Sequence, residues 1–551
     1  MRIAIAQLNY QVGNLKHNSE KILAALQEGK NRGVDLMVFA EMALTGYPAK
    51  DLWVQPDFIR ETENALVRIA AACEGISCLI GAPLQNNTGK GKPLFNAAVL
   101  LAEGQIQSSA AKALIPDYDV FDEFRYFQPN EQFSCMAFKG LKLAVTVCED
   151  LWFSDEHQRE QSLYMRDPME RLRAEAPDLM INLAASPFAL GHAESRQVIL
   201  RDQVLKSGIP LIYANQVGAH ADLIFDGRSM LWSAEGELLS ELAAFKEEVF
   251  YFRFEKGNIV PDKEAFAKID LVDMALIHQA LLLGIRDYFH KSGFKKAVLG
   301  LSGGLDSAVV VALAIEALGA KNVLAVLLPS EYSSDHSLKD ARDLVENTGC
   351  ESLIIPISQP VAAFEQVLSP AFEGRKSDTT EENIQARSRG LILMALSNKL
   401  GHVLLNTSNK SEAAVGYGTL YGDMAGAISV IGDVFKTDVY RLADYINRER
   451  EIIPIHTIRK PPSAELRPDQ KDSDSLPDYP YLDAVLRAYV EENRPIDDIK
   501  AEWGDPSQVD RIIGMVDRAE FKRYQTAPTL RVSKKAFGPG RLMPLVMRKD
   551  Y

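Results

Sequence analysis

A glycine-rich segment in the second half of the chain has the composition of a phosphate-binding turn. Ser302-Gly303-Gly304-Leu305-Asp306-Ser307 follows an apolar run, Ala297 to Leu301, and precedes a segment of helical pattern, Ala308 to Leu318. Glycines let the backbone approach phosphate oxygens, and the outward N–H groups at a helix N-terminus attract negative charge. The serines add hydroxyl donors, and Asp306 could hold Mg²⁺. Because the Lys-Ser/Thr ending of the common P-loop is missing, the segment predicts a different nucleotide chemistry, with a plain capped turn as the alternative.

Three residues in the first half have side chains suited to acyl transfer. Glu41 and Cys148 each end an apolar strand-like run, and Lys112 follows a predicted hairpin. Enzymes with α/β folds place their chemistry at strand ends. A thiolate is favoured by a nearby ammonium group, and a carboxylate can carry the proton from the thiol to a leaving amine. The three residues therefore predict a base, an oxyanion donor and a nucleophile, although a strand cysteine that only packs is the alternative for Cys148.

The pattern of apolar runs predicts an α/β fold in two domains. Strand-like runs alternate with helical and hairpin patterns up to about residue 255, and a polar stretch at 256–268 then precedes a helical pattern. We predict a first domain at 1–255, a linker at 256–270 and a second domain at 271–551. The predicted strands of the first domain are Leu36 to Ala40, Ala97 to Leu101 with a turn at Glu103-Gly104, Leu143 to Val147, Leu179 to Leu183 and Leu211 to Ala214.

The second domain begins with a helical pattern and continues as a strand, the glycine-rich turn, a helix and a strand from Val323 to Leu328. This order predicts a βαβ unit in a doubly wound parallel sheet, with a nucleotide at the strand ends. The segment 460–480 is rich in Pro, Asp and Ser, and it predicts either a mobile active-site lid or a surface linker. The first helix is predicted to be apolar on one side, through Leu271, Met274, Leu281, Leu282, Ile285 and Phe289.

Composition and charge limit the partners of the chain. Its 551 residues include 25% charged and 47% hydrophobic residues, which is ordinary globular usage. The formal net charge of -14 argues against general binding of nucleic acid or of anionic membranes. The five cysteines lack metal-ligand spacing, and no apolar run nears the roughly 20 residues that cross a bilayer. We therefore expect a cytoplasmic protein with no nucleic-acid or membrane partner.

The first half resembles the nitrilase, or carbon–nitrogen hydrolase, superfamily. The resemblance is carried by three blocks in the family's order: Phe39 to Pro48, Lys112 to Pro116 and Val147 to Trp152. It implies an α-β-β-α sandwich and an amide hydrolase with Glu41 as general base, Lys112 as transition-state stabiliser and Cys148 as nucleophile. It further implies an acidic group near the site at Glu123, and glutamine contacts at Tyr118, Ser186 and His192.

The second half resembles the NAD synthetase family. Its glycine-rich turn is similar to the PP-loop of ATP pyrophosphatases, which cleave ATP between the α and β phosphates. Further blocks follow in the family's order: Pro329 to Ser334, Glu382 to Arg389, Asn406 to Glu412, Tyr421 to Asp423, Asp433 to Thr437, Lys460 to Leu466 and Lys522-Arg523. The resemblance implies ATP contacts at Gly300, Leu301, Ser302, Gly303, Gly304, Leu305, Asp306, Ser307, Thr407 and Lys436. It implies contacts to deamido-NAD⁺ at Asn383, Arg387, Glu412 and Lys522, and Mg²⁺ ligands at Asp306 and Glu412.

Together the two resemblances imply an ATP-dependent amidation of deamido-NAD⁺ to NAD⁺ with ammonia released from L-glutamine. The acid would be activated as an adenylate, and AMP, diphosphate and glutamate would be the other products. A dry internal passage would keep ammonia unprotonated, and a homo-oligomer is implied by the family. Two alternatives stay open: another glutamine amidotransferase with a PP-loop, and an amidase whose second half only binds a nucleotide as a regulator.

Overall fold

The computed structural model describes residues 1–153, 164, 166–262, 273–468 and 470–547. The chain divides into two compact units, one formed by Met1–His220 with Ile224–Asp270 and the other by Leu271–Tyr551 with Ala221–Leu223. Among the helices of the described segments, none is both long enough and apolar enough to cross a bilayer.

The first unit is rich in strands. Its described part contains β1 (Arg2–Gln7), β2 (Leu36–Val38), β3 (Ser77–Gln85), β4 (Leu94–Ala102), β5 (Gln105–Ala111), β6 (Met136–Phe138), β7 (Leu141–Val147), β8 (Leu179–Ala184), β9 (Leu211–Asn215), β10 (Val217–His220), β11 (Leu223–Asp226), β12 (Met230–Trp232), β13 (Leu238–Glu241), β14 (Glu248–Glu255) and β15 (Asn258–Pro261). Its helices are α1 (Leu15–Asn31), α2 (Pro56–Ala72), α3 (Pro168–Arg173) and α4 (His192–Ser207). Short 3-10 helices cover Lys50–Val54, Glu123–Arg125 and Cys148–Leu151.

Two mixed sheets form the frame of the first unit. One has seven strands in the order β15-β14-β1-β2-β3-β4-β5, the other has six in the order β13-β12-β9-β8-β7-β6, and β10 pairs with β11. In β1 the side chains alternate between two cores, as the two-residue period of a strand requires. Ile3 and Ile5 join an apolar cluster that includes the strands of the second sheet. Ala4 and Ala6 pack in a second cluster with residues of α1 and α2.

Helices cover the outer side of the second sheet as well. Leu200 and Val204 of α4 belong to the apolar cluster that contains β7, β8 and β9. The unit therefore has the predicted α-β-β-α layers. The predicted strands are confirmed to within a few residues, and the hairpin turn at Glu103-Gly104 has positive φ at both residues, as a tight hairpin turn needs.

The second unit is built on a parallel sheet. Its strands are β16 (Ala297–Gly300), β17 (Val323–Leu327), β18 (Glu351–Ile354), β19 (Val403–Asn406) and β20 (Ile428–Ser429), in the order β18-β17-β16-β19-β20. Because the order reverses beside β16, the carboxyl ends of β16 and β19 flank a switch point, where α/β folds bind ligands. Val298, Val326 and Leu404 share one apolar cluster on this sheet.

Helices pack on the sheet and extend beyond it. They are α5 (Asp273–Lys291), α6 (Leu305–Leu318), α7 (Asp335–Thr348), α8 (Ser358–Phe372), α9 (Thr379–Leu400), α10 (Lys410–Val415), α11 (Lys436–Ile446), α12 (Ile455–Arg459), α13 (Tyr479–Leu486), α14 (Ile496–Trp503), α15 (Pro506–Arg518) and α16 (Glu520–Arg523). Ala320–Asn322 and Asp472–Asp474 are short 3-10 helices, and Arg487–Glu491 is a π-helical turn. The predicted βαβ unit is confirmed, since β16 and β17 pair in parallel across α6.

Three details differ from the sequence prediction. The helix after the glycine-rich turn begins at Leu305 instead of Ala308, so the turn itself forms its first residues. Part of the predicted linker is a strand, because β15 pairs antiparallel with β14. The segment 460–480 contains the 3-10 helix Asp472–Asp474 and the start of α13. Leu271, predicted on the buried side of α5, lies outside the described residues.

Candidate active sites

Strand ends bring Glu41, Lys112 and Cys148 together in the first unit. Glu41 lies three residues beyond β2, while Lys112 and Cys148 directly follow β5 and β7. The three side chains are buried, with 1%, 0% and 5% exposure respectively. Cys148 has a φ of 43°, which is rare for a residue other than glycine and points to a tight turn after the strand. The pattern of apolar runs predicted each strand end, and the fold brings these strand ends together.

The ammonium group of Lys112 is held between two carboxylates. Its Nζ lies 2.9 Å from Oε1 of Glu41 and 2.8 Å from Oε1 of Glu123. Burial by itself would lower the pKa of Lys112, but Glu123 and Glu41 outweigh it and raise the pKa well above its usual value. Lys112 is therefore a fixed positive charge, suited to stabilising an oxyanion.

The pKa of the Cys148 thiol is raised well above its usual value. Burial is the main cause, and Glu41 adds to it, while Lys112 acts in the opposite direction. The resting nucleophile is thus a thiol, which needs a base to remove its proton during attack. Glu41 is the base at hand, and its other oxygen, Oε2, accepts a hydrogen bond of 2.9 Å from the Ala185 N–H.

Two further side chains orient the carboxylates. Asn96 donates through Nδ2 to Oε1 of Glu41 at 2.6 Å and to Oε2 of Glu123 at 3.1 Å. The hydroxyl of Tyr47 donates to Oε1 of Glu123 at 2.9 Å. Burial raises the pKa of Glu123, while Lys112 opposes that shift. The arrangement can move a proton between the thiol and a leaving amine without bulk water.

Gly81 of β3 lets the backbone around Glu41 pass close to the sheet. A Cβ at this position would lie 2.3 Å from the amide nitrogen of Met42 and 2.5 Å from Cα of Glu41. Both are backbone atoms, so a side chain here would displace the turn that carries the base. No local pattern signals this requirement, since Gly81 lies inside an otherwise apolar strand.

The predicted glutamine contacts lie around this centre. Tyr118 donates through its hydroxyl to Oε1 of Glu149 at 2.8 Å. Ser186 directly follows Ala185, whose N–H binds Glu41, and its own N–H donates to Asn215 at 2.9 Å. The ring of His192 stacks on Trp152 with centroids 5.3 Å apart.

Glu149 is a second buried acid beside the nucleophile. It accepts hydrogen bonds from the hydroxyl groups of Tyr118 and Tyr164, at 2.8 and 3.0 Å. Burial raises the pKa of Glu149 to about 7, although Lys112 and the two tyrosines lower it. A carboxylate here can bind a positively charged substrate group next to Cys148.

A cavity of about 550 Å³ lies at the carboxyl ends of β16 and β19 in the second unit. Gly303 has a φ of 80°, and a Cβ on it would lie 2.1 Å from the Ser337 carbonyl oxygen, so glycine is required there. Part of the 460–480 segment also lines the cavity, including Lys460 and Glu465, which makes the plain-linker interpretation unsuitable. The predicted ATP contacts in the lining are Gly300, Leu301, Ser302, Gly304, Leu305, Asp306, Ser307, Thr407 and Lys436.

The turn is shaped by its serines. The N–H of Gly304 donates to Oγ of Ser302 at 3.1 Å, and the hydroxyl groups of Ser302 and Ser307 lie 3.1 Å apart. These bonds hold the start of α6 open toward the cavity. A helix N-terminus in this position is suited to phosphate oxygens.

Asp306, Glu412 and Lys436 form a charged cluster in this cavity. Lys436 pairs with Oδ2 of Asp306, and its Nζ lies 3.9 Å from Oε1 of Glu412. Burial and the charge of Asp306 raise the pKa of Glu412 to about 8. Burial would lower the pKa of Lys436, but Asp306 and Glu412 raise it above its usual value. The cluster therefore contains more acidic groups than its one ammonium can neutralise.

The donor set of this cluster fits a Mg²⁺ ion that also binds phosphate. Mg²⁺ prefers carboxylate oxygens and is commonly held by one or two of them together with substrate phosphates. Asp306 and Glu412 supply such oxygens, and a cation would relieve the repulsion that raises the pKa of Glu412. The described residues contain no group of three or more His, Cys, Asp or Glu side chains that could hold a metal without further ligands.

The other predicted dinucleotide contacts surround a loop next to the cavity. Lys522 donates to the carbonyl oxygens of Gly416 and Gly418 at 2.8 and 2.6 Å. Arg387 donates to the Leu420 carbonyl at 3.2 Å, and Asn383 accepts from the Thr419 hydroxyl at 2.7 Å. The pKa of Lys522 is lowered by burial, and Arg387 contributes to that shift. Two neighbouring cations of this kind can attract an anionic ligand.

Several site residues escaped the sequence analysis. Asn96 and Gly81 carry no local signal, because each acts through contacts with distant parts of the chain, whereas Tyr47 lay inside the recognised block Phe39 to Pro48. Glu149 and Asp150 lay inside a recognised block, and acidic residues directly after a candidate nucleophile were the available hint. Their burial, at 4% and 2% exposure, distinguishes them from surface acids.

Two known families match the two halves of the chain. The carbon–nitrogen hydrolase family matches residues 2–261, and the NAD synthase family matches residues 277–526. A glutamine-dependent NAD(+) synthetase from Synechocystis is 43% identical over 547 residues, which cover 98% of each chain. One from Thermotoga maritima is 38% identical and covers 100% of this chain and 99% of its own.

Solved structures match over the same length. A glutamine-dependent NAD+ synthetase from Acinetobacter baumannii, in complex with ADP, has a TM-score of 0.78 at 36% identity, with 99% of this chain and 98% of that one covered. One from Cytophaga hutchinsonii has a TM-score of 0.82 at 21% identity, with 99% and 98% covered, and supports the fold.

The close approach at Gly81 leads to a first prediction. Gly81→Ala should slow amide hydrolysis by the first unit on the order of 100-fold, because displacing Glu41 spoils the alignment of the base. Gly514→Ala is the control, since Gly514 has no positive φ and a Cβ there would meet only the flexible end of the Arg518 side chain. The measurement is the rate of glutamate release by the two variants. Equal rates in both would contradict the role of this contact.

Proposed function

The chain belongs to the glutamine-dependent NAD(+) synthetases, and we propose how its residues divide the reaction between the two units. The protein converts deamido-NAD⁺ to NAD⁺ in an ATP-dependent amidation that takes ammonia from L-glutamine and forms AMP, diphosphate and glutamate. The observation that supports this proposal is that relatives match along both halves of the chain, while each half contains its own buried, charged site. That match disfavours the amidase with a merely regulatory second half.

In the first site, Cys148 attacks the side-chain amide of glutamine. Glu41 takes the thiol proton as sulfur bonds to the amide carbon, and Lys112 stabilises the negative oxygen of the tetrahedral intermediate. Glu41 then gives the proton to the departing ammonia, which leaves a thioester on Cys148. Glu41 next activates a water molecule, whose attack releases glutamate and restores the thiol. Glu123 keeps Lys112 charged and in place.

The acidic side chain of Glu149 is suited to recognising the free amino acid. Glutamine carries an α-ammonium group, and an ionised carboxylate next to Cys148 attracts it. Tyr118 orients that carboxylate through its hydrogen bond. Ser186 and His192 complete the proposed glutamine contacts. A peptide amide without a free ammonium group would bind less tightly.

In the second site, the substrate carboxylate attacks the α-phosphorus of ATP and diphosphate leaves. The N–H groups and serines of the turn at residues 302–307 hold phosphate oxygens, and Lys436 neutralises charge on the leaving group. Ammonia then attacks the carbonyl carbon of the adenylate, and AMP leaves. Mg²⁺, when held by Asp306 and Glu412, would screen the phosphate charge. The remaining proposed ATP contacts are Gly300, Leu301 and Thr407.

The loop beside the cavity is the proposed place for deamido-NAD⁺. Arg387 and Lys522 offer two neighbouring cations for its pyrophosphate or carboxylate, and Asn383 offers an amide for hydrogen bonds. Glu412 lines the nucleotide cavity, and its carbonyl oxygen accepts hydrogen bonds from the N–H groups of Gly416 and Tyr417 at the start of this loop, so it can contact both substrates. Passage of ammonia between the sites without release to solvent stays a prediction.

Separate substitutions should separate the two activities. Cys148→Ala should abolish glutamine-dependent NAD⁺ formation and leave the reaction driven by added ammonium, because the nucleophile is used only in the first site. Asp306→Asn should suppress AMP formation and leave part of the glutamine hydrolysis. Glutamate and AMP are counted in parallel assays of each variant. Persistence of glutamine hydrolysis in Cys148→Ala would refute the assignment of the nucleophile.

The pKa of Glu149 yields a pH prediction. Since this carboxyl ionises at a pKa of about 7, the kcat/KM for glutamine should rise as the pH increases through that value. Glu149→Gln should remove this rise and increase KM. Tyr118→Phe should move the rise to higher pH, because the lost hydrogen bond normally lowers the pKa. An unchanged pH profile in Glu149→Gln would contradict the role.

We also propose that the chain forms a homo-oligomer and acts in the cytoplasm. All five cysteines are free, which suits a reducing compartment. None of the side chains of α8 is buried, and Val367 is 75% exposed. Leu353 and Ile354 of β18 and Leu391 of α9 are exposed apolar residues as well. Such a set of side chains is typical of an interface.

A surface substitution tests the oligomer. Val367→Asp should shift the protein toward monomer, because a buried charge without a partner disfavours association. Val67→Asp is the control, since Val67 is a similarly exposed residue, at 60%, on α2 of the other unit. Sedimentation velocity measures the assembly of both variants. If Val367→Asp sediments as the wild type does, this surface is not the interface.

A further inference from the structure

Asp150 is a buried carboxylate that the reaction scheme above does not use. It lies in the 3-10 helix Cys148–Leu151, two residues after the nucleophile, and is 2% exposed. In the described part of the chain it forms no ion pair within 4.0 Å. Its partners are three backbone N–H groups. Burying a charge is costly unless hydrogen bonds compensate it, and here the three backbone N–H groups do so.

The three N–H groups belong to the segments that carry Lys112 and Cys148. Oδ1 accepts from Ala113 and Leu114, both at 2.9 Å, and Oδ2 accepts from Val147 at 3.0 Å. Ala113 directly follows Lys112, and Val147 directly precedes Cys148. One carboxylate thus joins the end of β5, in the seven-stranded sheet, to the end of β7, in the six-stranded sheet.

We propose that Asp150 is a positioning residue that sets the distance and angle between the Lys112 ammonium and the Cys148 thiol. It touches neither reacting group and acts only through the backbone on either side. The bond to Val147 also closes the turn in which Cys148 adopts its positive φ. The inference rests on the proposed roles of Lys112 and Cys148.

The ionised form is the one that can make this bridge. A carboxylate accepts hydrogen bonds on both oxygens, whereas an amide of the same shape has one accepting oxygen and one donating nitrogen. In Asp150→Asn the amide can therefore satisfy Ala113 and Leu114 or Val147, but not both sides. Burial raises the pKa of Asp150 to about 6, and the three N–H bonds and Lys112 oppose that shift. The carboxyl is thus ionised at neutral pH.

The test compares rates per intact site. A diazoketone analogue of glutamine alkylates the nucleophilic thiol, so the end point of labelling counts the correctly folded first sites. For Asp150→Asn we expect a kcat for glutamine hydrolysis, per titrated site, lower on the order of 100-fold, with KM changed less than about threefold. Ammonium-driven NAD⁺ synthesis should be unchanged. Asp35→Asn is the matched control, because Asp35 also accepts a backbone N–H, from Arg2 at 2.7 Å, at the start of β2.

The possible outcomes distinguish a positioning role of Asp150 from a role in folding alone. A slow rate per titrated site in Asp150→Asn, with Asp35→Asn at the wild-type rate, supports positioning. A wild-type rate per site, even with fewer intact sites, would show that Asp150 only stabilises the fold and would overturn the proposal. Asp150→Ser is the second variant, and a lack of titratable sites in both variants would likewise assign the residue to folding. Failure of the proposed function itself is seen separately, as glutamine hydrolysis that survives Cys148→Ala.

Discussion

The burial of an ammonium group between two carboxylates is the constraint on which the first site depends. Lys112 is fully buried and can stay charged only because Glu41 and Glu123 both contact it. The same contact fixes Glu41 beside Cys148, whose thiol keeps its proton until a base takes it. A charge that would be costly in an apolar core is thus held in place where several strand ends meet. There it provides a preorganised environment for an oxyanion.

The second unit contains a related cluster, again with two carboxylates around one ammonium group. Lys436 faces Asp306 and Glu412, and burial together with the charge of Asp306 raises the pKa of Glu412. A bound cation would reduce the repulsion between these acidic groups, and a phosphate group could then pair with Lys436. In the first unit the charges are satisfied by the protein itself, whereas in the second we propose that substrate completes them. This difference suits a cavity that must bind and release a nucleotide in each cycle.

Close approach between backbone segments restricts which residues can occupy both sites, as charge does. Gly81 lies against the turn that carries Glu41, and Gly303 lies against the Ser337 carbonyl. In each case the glycine is required by the space available to the neighbouring chain. Asp150 extends the same principle, since it holds two catalytic segments by their N–H groups and leaves their side chains free for chemistry. The reactive residues are thus placed by groups that take no part in bond making.

The sequence by itself indicated the main strands, the glycine-rich turn and the candidate site residues Glu41, Lys112, Cys148, Asp306 and Lys436, because these depend on local patterns and ordered blocks. It could not place Asn96 between Glu41 and Glu123, join Asp150 to Ala113, or require Gly81, because those contacts link residues that lie far apart along the chain. The strand at Asn258–Pro261 likewise depended on pairing with β14. Only the tertiary structure decided these features, since burial and close approach between distant segments arise when the sheets and helices pack.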